Sequence, residues 1–304
     1  MTAVLIDPRF GDDERRRRIF DGGLIVMSPV PEADRMVAHG RRLLEAGFAG
    51  ADPRMAQFGM PVEEFAAIVA PLKTSFIHHP ESWGLLAAML VATGCDPEAT
   101  YLDVPRLRIS TSDGYLTSGV AYAHHPHRDT WYSAPLCQIN WWVPLYDIES
   151  ENAMAFHPRY WSEGVENDSS RFNYYEWNGN QRKEAAKHVK SDTRWQPHAA
   201  GPLELEPEIR LICNPGAAIM FAAAQLHSTV PNTSGRTRYS FDFRTVNVED
   251  LRNGHGAPNV DSAPSGTSLR DFLRVADRAP LPEDILMRYG GPLPDGVAAV
   301  FQPV

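Results

Sequence analysis

The chain has 304 residues, 43% hydrophobic and 22% charged, with 38 acidic against 29 basic residues and a formal net charge of −9. This is an ordinary globular mixture, which excludes a disordered chain. The acidic balance argues against a general nucleic-acid binder, and apolar runs such as Ala217 to Ala224 fall far short of the roughly 20 residues that span a bilayer.

No repeat or low-complexity linker divides the sequence. It reads as one domain over 1–304: residues 1–100 as helical support, 101–250 as the core and 251–304 as a C-terminal wrap. Three cysteines, Cys95, Cys137 and Cys213, show no CxxC spacing, which fits a reducing cytoplasm and no zinc site. Arg15 to Arg18 are followed by no apolar core of the kind a signal peptide needs, so that run reads as a solvated helix face.

In chain order, Met36, Val37, Leu43, Leu44 and Phe48 recur at helical spacing. Val62 to Lys73 and Glu81 to Thr93 are further expected helices, with Gly94 as a stop. From Arg106 the texture turns to strands. They are expected at Arg106 to Thr111, Leu116 to Ala123, Pro135 to Tyr146, Ile209 to Cys213, Ala217 to Ala222 and Thr237 to Val248. A polar insertion at 162–202 is long for a connection and is expected to act as a lid, with a short helix at Lys183 to Val189. A last helix is expected at Ser268 to Ala276. Consecutive strands without intervening helices argue for an antiparallel sheet, a barrel or a jelly roll, hence an α+β fold with a mainly β core.

The chemistry centres on AYAHHPHRDTW. In an extended strand His127 and Asp129 point to one side and can offer an imidazole and a carboxylate to one metal. His227 ends an apolar strand that leaves an Asn-Pro-Gly turn. Two histidines and one carboxylate with open coordination positions make the triad that suits non-haem Fe(II). Eleven residues later stands Arg238, with Ser240 two residues on and so on the same strand face. A guanidinium fork beside a hydroxyl is a receptor for a buried carboxylate. Tyr239, Phe241 and Phe243 fill the opposite face, so the polar residues of this strand point inward and line a site.

HRD at 127–129, PGAAIMFAAAQLHS containing His227, and RYS at 238–240 together resemble the Fe(II)/2-oxoglutarate-dependent dioxygenases. The link HSTVPNTSGRTR, with Asn232 and Ser234, is similar to the phytanoyl-CoA dioxygenase-like branch, as is INWWVPLYDIESENAMAFHPRYW. In the latter, the branch's Gly-Ser-His turn is replaced by His157-Pro158-Arg159. The resemblance covers Ala121 to Val248. It implies a double-stranded β-helix (jelly roll, cupin-like) beneath an N-terminal helical layer.

By residue, the resemblance implies His127, Asp129 and His227 as iron ligands, with Fe(II), 2-oxoglutarate and O2 as cofactor and co-substrates. Arg238, assisted by Ser240, is then the partner of the 2-oxoglutarate C5 carboxylate. Gln138 and Asn140 are candidates for its other end, or simply a hydrogen-bonded strand face. Candidate substrate contacts are His125, Trp131, His157, Arg159 and Arg244, with Tyr132 beside them. Asp242 and Arg244 are alternatively a mutual ion pair. The implied activity is hydroxylation of an unactivated C–H bond of a polar small molecule, releasing succinate and CO2. A carboxylate at position 129 argues for hydroxylation over halogenation and leaves desaturation, ring closure and epimerisation open. A cupin-like metalloenzyme that does not use 2-oxoglutarate and a non-catalytic jelly-roll binding protein stay open as alternatives. The expected partner is a small-molecule substrate, with no nucleic acid and no membrane; the oligomeric state is not legible.

Overall fold

The computed structural model describes residues 2–178 and 195–294. The elements begin with β1 (Val4–Ile6), α1 (Asp12–Phe20), β2 (Leu24–Met27), α2 (Pro31–Gly47), α3 (Val62–His78) and α4 (Pro80–Ala92). Then come β3 (Thr100–Leu102), β4 (Arg106–Ser110), β5 (Ile139–Pro144), β6 (Met154–Phe156), the single turn α5 (Tyr174–Glu176) and β7 (Ile209–Arg210). After these follow β8 (Ala218–Ala222), β9 (His227–Thr229), β10 (Arg238–Asn247), α6 (Val248–Asn253), β11 (Leu273–Arg274) and α7 (Glu283–Gly290).

The helices start and stop where local chemistry dictates. Pro31 opens α2 with a preset φ, and Glu32 and Asp34 sit at its positive end. Ala33, Met36, Val37, Gly40 and Leu44 then form its buried stripe. A Cβ at Gly40 would lie 3.0 Å from the Leu145 side chain, so glycine permits this close approach. The His79 ring accepts the Glu81 N–H at the start of α4, and Gly94 follows its end at φ +88°.

The main sheet runs β1-β2-β8-β5-β10-β3-β11, with β4 also paired to β10. Strand β10 is ten residues long, so one edge can pair with β4 and then β3 while the other pairs with β5. Its alternation separates two environments. Tyr239, Phe241 and Phe243 join Leu107, Ile109, Trp141, Val143 and Met220 in one apolar layer against α2, α3 and α4. Burying each such side chain contributes about 1.5–3 kcal/mol, and truncating Phe241 to alanine would cost about 3–5 kcal/mol. On the other face Arg238, Ser240, Asp242 and Arg244 lie in register with Ser110, Arg108 and Arg106 of β4 and with Asn140 and Trp142 of β5. A second sheet, β7-β6-β9, covers part of this face. Met154, Phe156 and Leu211 pack there on Leu24, Trp142, Ile219 and Phe221.

Several expectations need correction. The first hundred residues are not purely helical, because β1 and β2 join the main sheet, as β11 does from the tail. Leu116 to Ala123 is a loop with a 3-10 turn at Gly119–Ala121, since the Thr111 hydroxyl bonds both backbone groups of Leu116 and closes the chain on itself. Ser268 to Ala276 is a 3-10 turn over Ser268–Asp271 followed by β11. Of the arginine run only Arg17 and Arg18 are exposed; Arg15 and Arg16 are buried and paired with Asp12, while Arg16 also bonds Asp250. The helix expected at Lys183 to Val189 lies outside the described residues. Among the described residues no helix is long and apolar enough to cross a membrane, and all three cysteines are free thiols.

Candidate metal centre

His127 and His227 are brought together by backbone pairing. Each donates its N–H to the other's carbonyl at 3.0 Å, which sets the rings 4.4 Å apart. Each Nδ1 lies against a carbonyl two residues earlier, His125 at 2.8 Å and Gln225 at 3.0 Å. Those carbonyls can only accept, so Nδ1 carries the proton and each Nε2 presents its lone pair. Arg128 is extended, but Asp129 opens a 3-10 turn over Asp129–Tyr132, so the expected strand ends between the two ligands. The Asp129 carboxylate still converges: Oδ1 is 3.5 Å from His127 Nε2 and 3.9 Å from His227 Nε2.

The donor set fits a divalent metal. All three ligand atoms lie within 4.8 Å of one another. Metal–ligand bonds of about 2.0–2.2 Å bring neighbouring ligand atoms to roughly 3–3.5 Å, so closure needs only small side-chain shifts. The protonation states suit it too. Burial pushes the Asp129 carboxyl up, but the close approach of His127 and the nearby charge of Arg244 outweigh it and hold the group well below the usual carboxylate range. Burial takes the His227 imidazole down to about 3, so it is neutral at pH 7. The other carboxylate oxygen, Oδ2, is steadied by Gln138 Nε2 at 3.3 Å and by Arg244 Nε at 3.6 Å. Gln138 in turn donates to Asn140 Oδ1 at 2.9 Å.

Arg238 and Ser240 stand on the same inward face of β10 as Arg244. Arg238 is 6% exposed, donates once to the Asn152 carbonyl at 3.1 Å and stacks on Trp142 at 5.3 Å. Among the described residues no carboxylate pairs with it, and its Nε and the Ser240 hydroxyl have no hydrogen-bond partner. Burial, with Arg108 nearby, pulls its pKa down to about 10. A buried cation without a counter-ion is costly, so this fork and hydroxyl suit an anion. Arg236, two residues before Arg238, is instead half-exposed and pairs with Glu149.

The remaining candidates separate. Arg244 is beside the triad but engaged by Asp103 at 3.2 Å and by Asp129, and Asp242 pairs with Arg108 at 2.9 Å, so these two are not a mutual pair. His125 stacks on His198 at 4.2 Å and bonds Tyr122, and the Tyr132 ring meets His127 at 5.7 Å. Three expected substrate contacts lie elsewhere. Trp131 is fully buried with Tyr160, Val165 and Leu226, its indole N–H on Asp261, because the 3-10 turn rotates it away from the triad. His157 is buried between the Leu205 carbonyl and Ser228, and Arg159 is an exposed partner of Glu163 and Glu204. Asn232 and Ser234 brace the turn into β10: the Asn232 amide donates to the Ser110 and Arg236 carbonyls and its oxygen accepts from Ser234. The sequence reading missed Asp103, Arg128 and Asp261. Asp103 and Asp261 carried no local signal, whereas Arg128 sits between two ligands in plain view.

No family model matches the chain, and no curated protein does. Among solved structures it is similar to the epimerase SnoN in complex with Fe3+, alpha ketoglutarate and nogalamycin RO, at 16% identity and TM-score 0.39, covering 78% of this chain and 85% of that one. It is also similar to EvdO2 from Micromonospora carbonacea var. aurantiaca complexed with 2-oxoglutarate, at 11% identity and TM-score 0.43, covering 79% and 93%. A third is the non-heme monooxygenase ThoJ, at 16% identity and TM-score 0.35, covering 73% and 74%. At these values the likeness assigns nothing by itself, and the assignment rests on the residues above.

Proposed function

We propose that this chain is an Fe(II)- and 2-oxoglutarate-dependent oxygenase of the non-haem iron superfamily, hydroxylating a C–H bond of a polar small molecule on a jelly-roll scaffold. One observation carries the reading: a convergent His127–Asp129–His227 set touches Arg244 of the inward face of β10, the face that also carries a buried, uncompensated Arg238 and an orphaned Ser240 hydroxyl. Bound to the triad, Fe(II) would supply dioxygen activation coupled to oxidative decarboxylation of the co-substrate to succinate and CO2. The protein's own residues bind and orient. Arg238 and Ser240 would take the far carboxylate of 2-oxoglutarate through charge-assisted hydrogen bonds. Gln138 and Arg244 hold Asp129 so that its Oδ1 faces the histidines. The Trp142 face and the apolar contact between the sheets limit water at that end of the site.

The test is an anaerobic titration of the metal-free protein with Fe(II) and then 2-oxoglutarate, following the visible metal-to-ligand charge-transfer band. A band in the wild type that is absent in Asp129→Ala and weakened in Arg238→Ala supports the proposal. Bound iron without a band refutes the 2-oxoglutarate assignment and favours a cupin-like metalloenzyme. No iron binding refutes the metal centre.

A further inference from the structure

Arg128 lies between two metal-ligand candidates, yet its side chain points away from them and is 1% exposed. Its guanidinium donates to the Ala224, Tyr160 and Glu163 carbonyls, and its Nε donates to Asp261 Oδ2 at 2.9 Å. Asp261 comes from the C-terminal segment, 133 residues away in sequence. Its other oxygen accepts the Trp131 indole N–H at 2.8 Å, and Oδ2 also accepts the Val165 N–H at 2.9 Å. One carboxylate therefore holds the residues at 128 and 131, which flank Asp129. The same guanidinium grips the Ala224 carbonyl, one residue before Gln225, whose own carbonyl fixes the His227 tautomer. The Thr130 N–H reaches the Ala223 carbonyl at 3.3 Å and closes the link between the two ligand-bearing segments.

We infer that Asp261 is a positioning residue of the metal centre, acting through Arg128 and Trp131 to hold the Asp129 turn and the His227 segment at ligand spacing. The inference rests on the proposed metal site. Its physical basis is that partners outside the ligand set fix ligand orientation, and losing one commonly weakens metal affinity 10–100-fold. Asp261→Asn is nearly isosteric but loses the charge that neutralises Arg128. Trp131→Phe keeps an aromatic ring, removes one hydrogen bond from Asp261 and leaves a smaller ring at a fully buried position. Asp250→Asn is the control: Asp250 is a buried partner of Arg16 outside the triad's contacts.

The experiment is anaerobic calorimetry of Fe(II) binding on the full chain, with Co(II) absorption as a reporter of ligand geometry and thermal melts of the metal-free proteins beside it. The expected result is at least 10-fold weaker Fe(II) binding and an altered Co(II) spectrum in Asp261→Asn, and a smaller loss in the same direction in Trp131→Phe. Asp250→Asn should melt lower yet bind metal as the wild type does. Unchanged Fe(II) affinity in Asp261→Asn and Trp131→Phe, with wild-type binding intact, overturns the inference alone. Equal weakening in Asp250→Asn also overturns it, because the effect would then be general destabilisation. Absence of metal binding in the wild type overturns the metal site and this inference together.

Discussion

Replacing Arg238 by methionine separates a residue kept for a ligand from one kept for the fold. A pKa pulled down from 12.5 to about 10 means that folding disfavours the charged guanidinium. At 1.36 kcal/mol per unit this is a penalty of about 3 kcal/mol, present throughout neutral pH and relieved only as pH rises through about 10. The Trp142 face returns roughly 1–2 kcal/mol and the bond to Asn152 roughly 1 kcal/mol. These nearly cancel, and methionine restores most of the buried stem. Arg238→Met should therefore leave the metal-free protein within about 1 kcal/mol of wild type, or about 2 °C for a chain of this length. The co-substrate should suffer instead. Two charge-assisted bonds at about 1.5–3 kcal/mol each predict at least 100-fold weaker 2-oxoglutarate binding, with Fe(II) affinity unchanged. Calorimetry and a thermal melt on the same preparation read both quantities. A drop of more than about 5 °C with 2-oxoglutarate binding intact would refute the reasoning and make Arg238 a structural residue.

Other variants test the surroundings. Arg244→Met should behave oppositely, destabilising the metal-free protein by about 3–5 kcal/mol in urea, because it strips a partner from buried Asp103 and from Asp129. Asn232→Ala removes the amide that ties Ser110 and Arg236 together, and a loss of about 1–3 kcal/mol is expected; no loss would mean the turn holds without it. Burial, with the neighbouring histidines His127 and His198, lowers the His125 pKa from 6.5 to about 4. The unfolded chain therefore binds the extra proton in that window, so this residue makes stability fall as pH drops from 6.5 to 4. His125→Asn should flatten the thermal melt's dependence over that range, and an unchanged slope would show that other groups set it.

The convergence of His127, Asp129 and His227 and the shared strand face of Arg238 and Ser240 were legible because each is encoded locally. A two-residue step in extended chain and an Arg-x-Ser alternation state which side chains share a side. What was not legible depends on distant pairing. Arg244 was correctly placed on the inward face of β10, but its partner Asp103 is 141 residues earlier, and no local pattern connects them. The 3-10 turn at Asp129 defeated period-two reasoning for Trp131, which the strand reading would have placed beside its neighbours at the mouth. His157 occupies the turn where the family pattern breaks, and it proved to be packed between Leu205 and Ser228. β1 and β2 escaped notice because strands of three and four residues carry too little periodicity to register. The alternation of β10 stood out because it inverts the expected polarity, with aromatics beneath helices and charges within.

That inversion has an electrostatic consequence. Four guanidinium groups, Arg106, Arg108, Arg238 and Arg244, are carried on the inward faces of β4 and β10. Three carboxylates answer them: Asp103 for Arg106 and Arg244, Asp242 for Arg108, and Asp129 again for Arg244. With His227 neutral, four positive groups stand against three negative ones, and the excess lies on the guanidinium that has no anion of its own. A divalent metal at the triad raises the excess further. A low-dielectric site does not hold several uncompensated positive charges cheaply, so metal occupancy strengthens the demand for an anion. A dianion that reaches both the metal side and Arg238 answers both needs at once. A neutral ligand answers neither. The charge pattern of the inward face thus favours an anionic ligand over a neutral one.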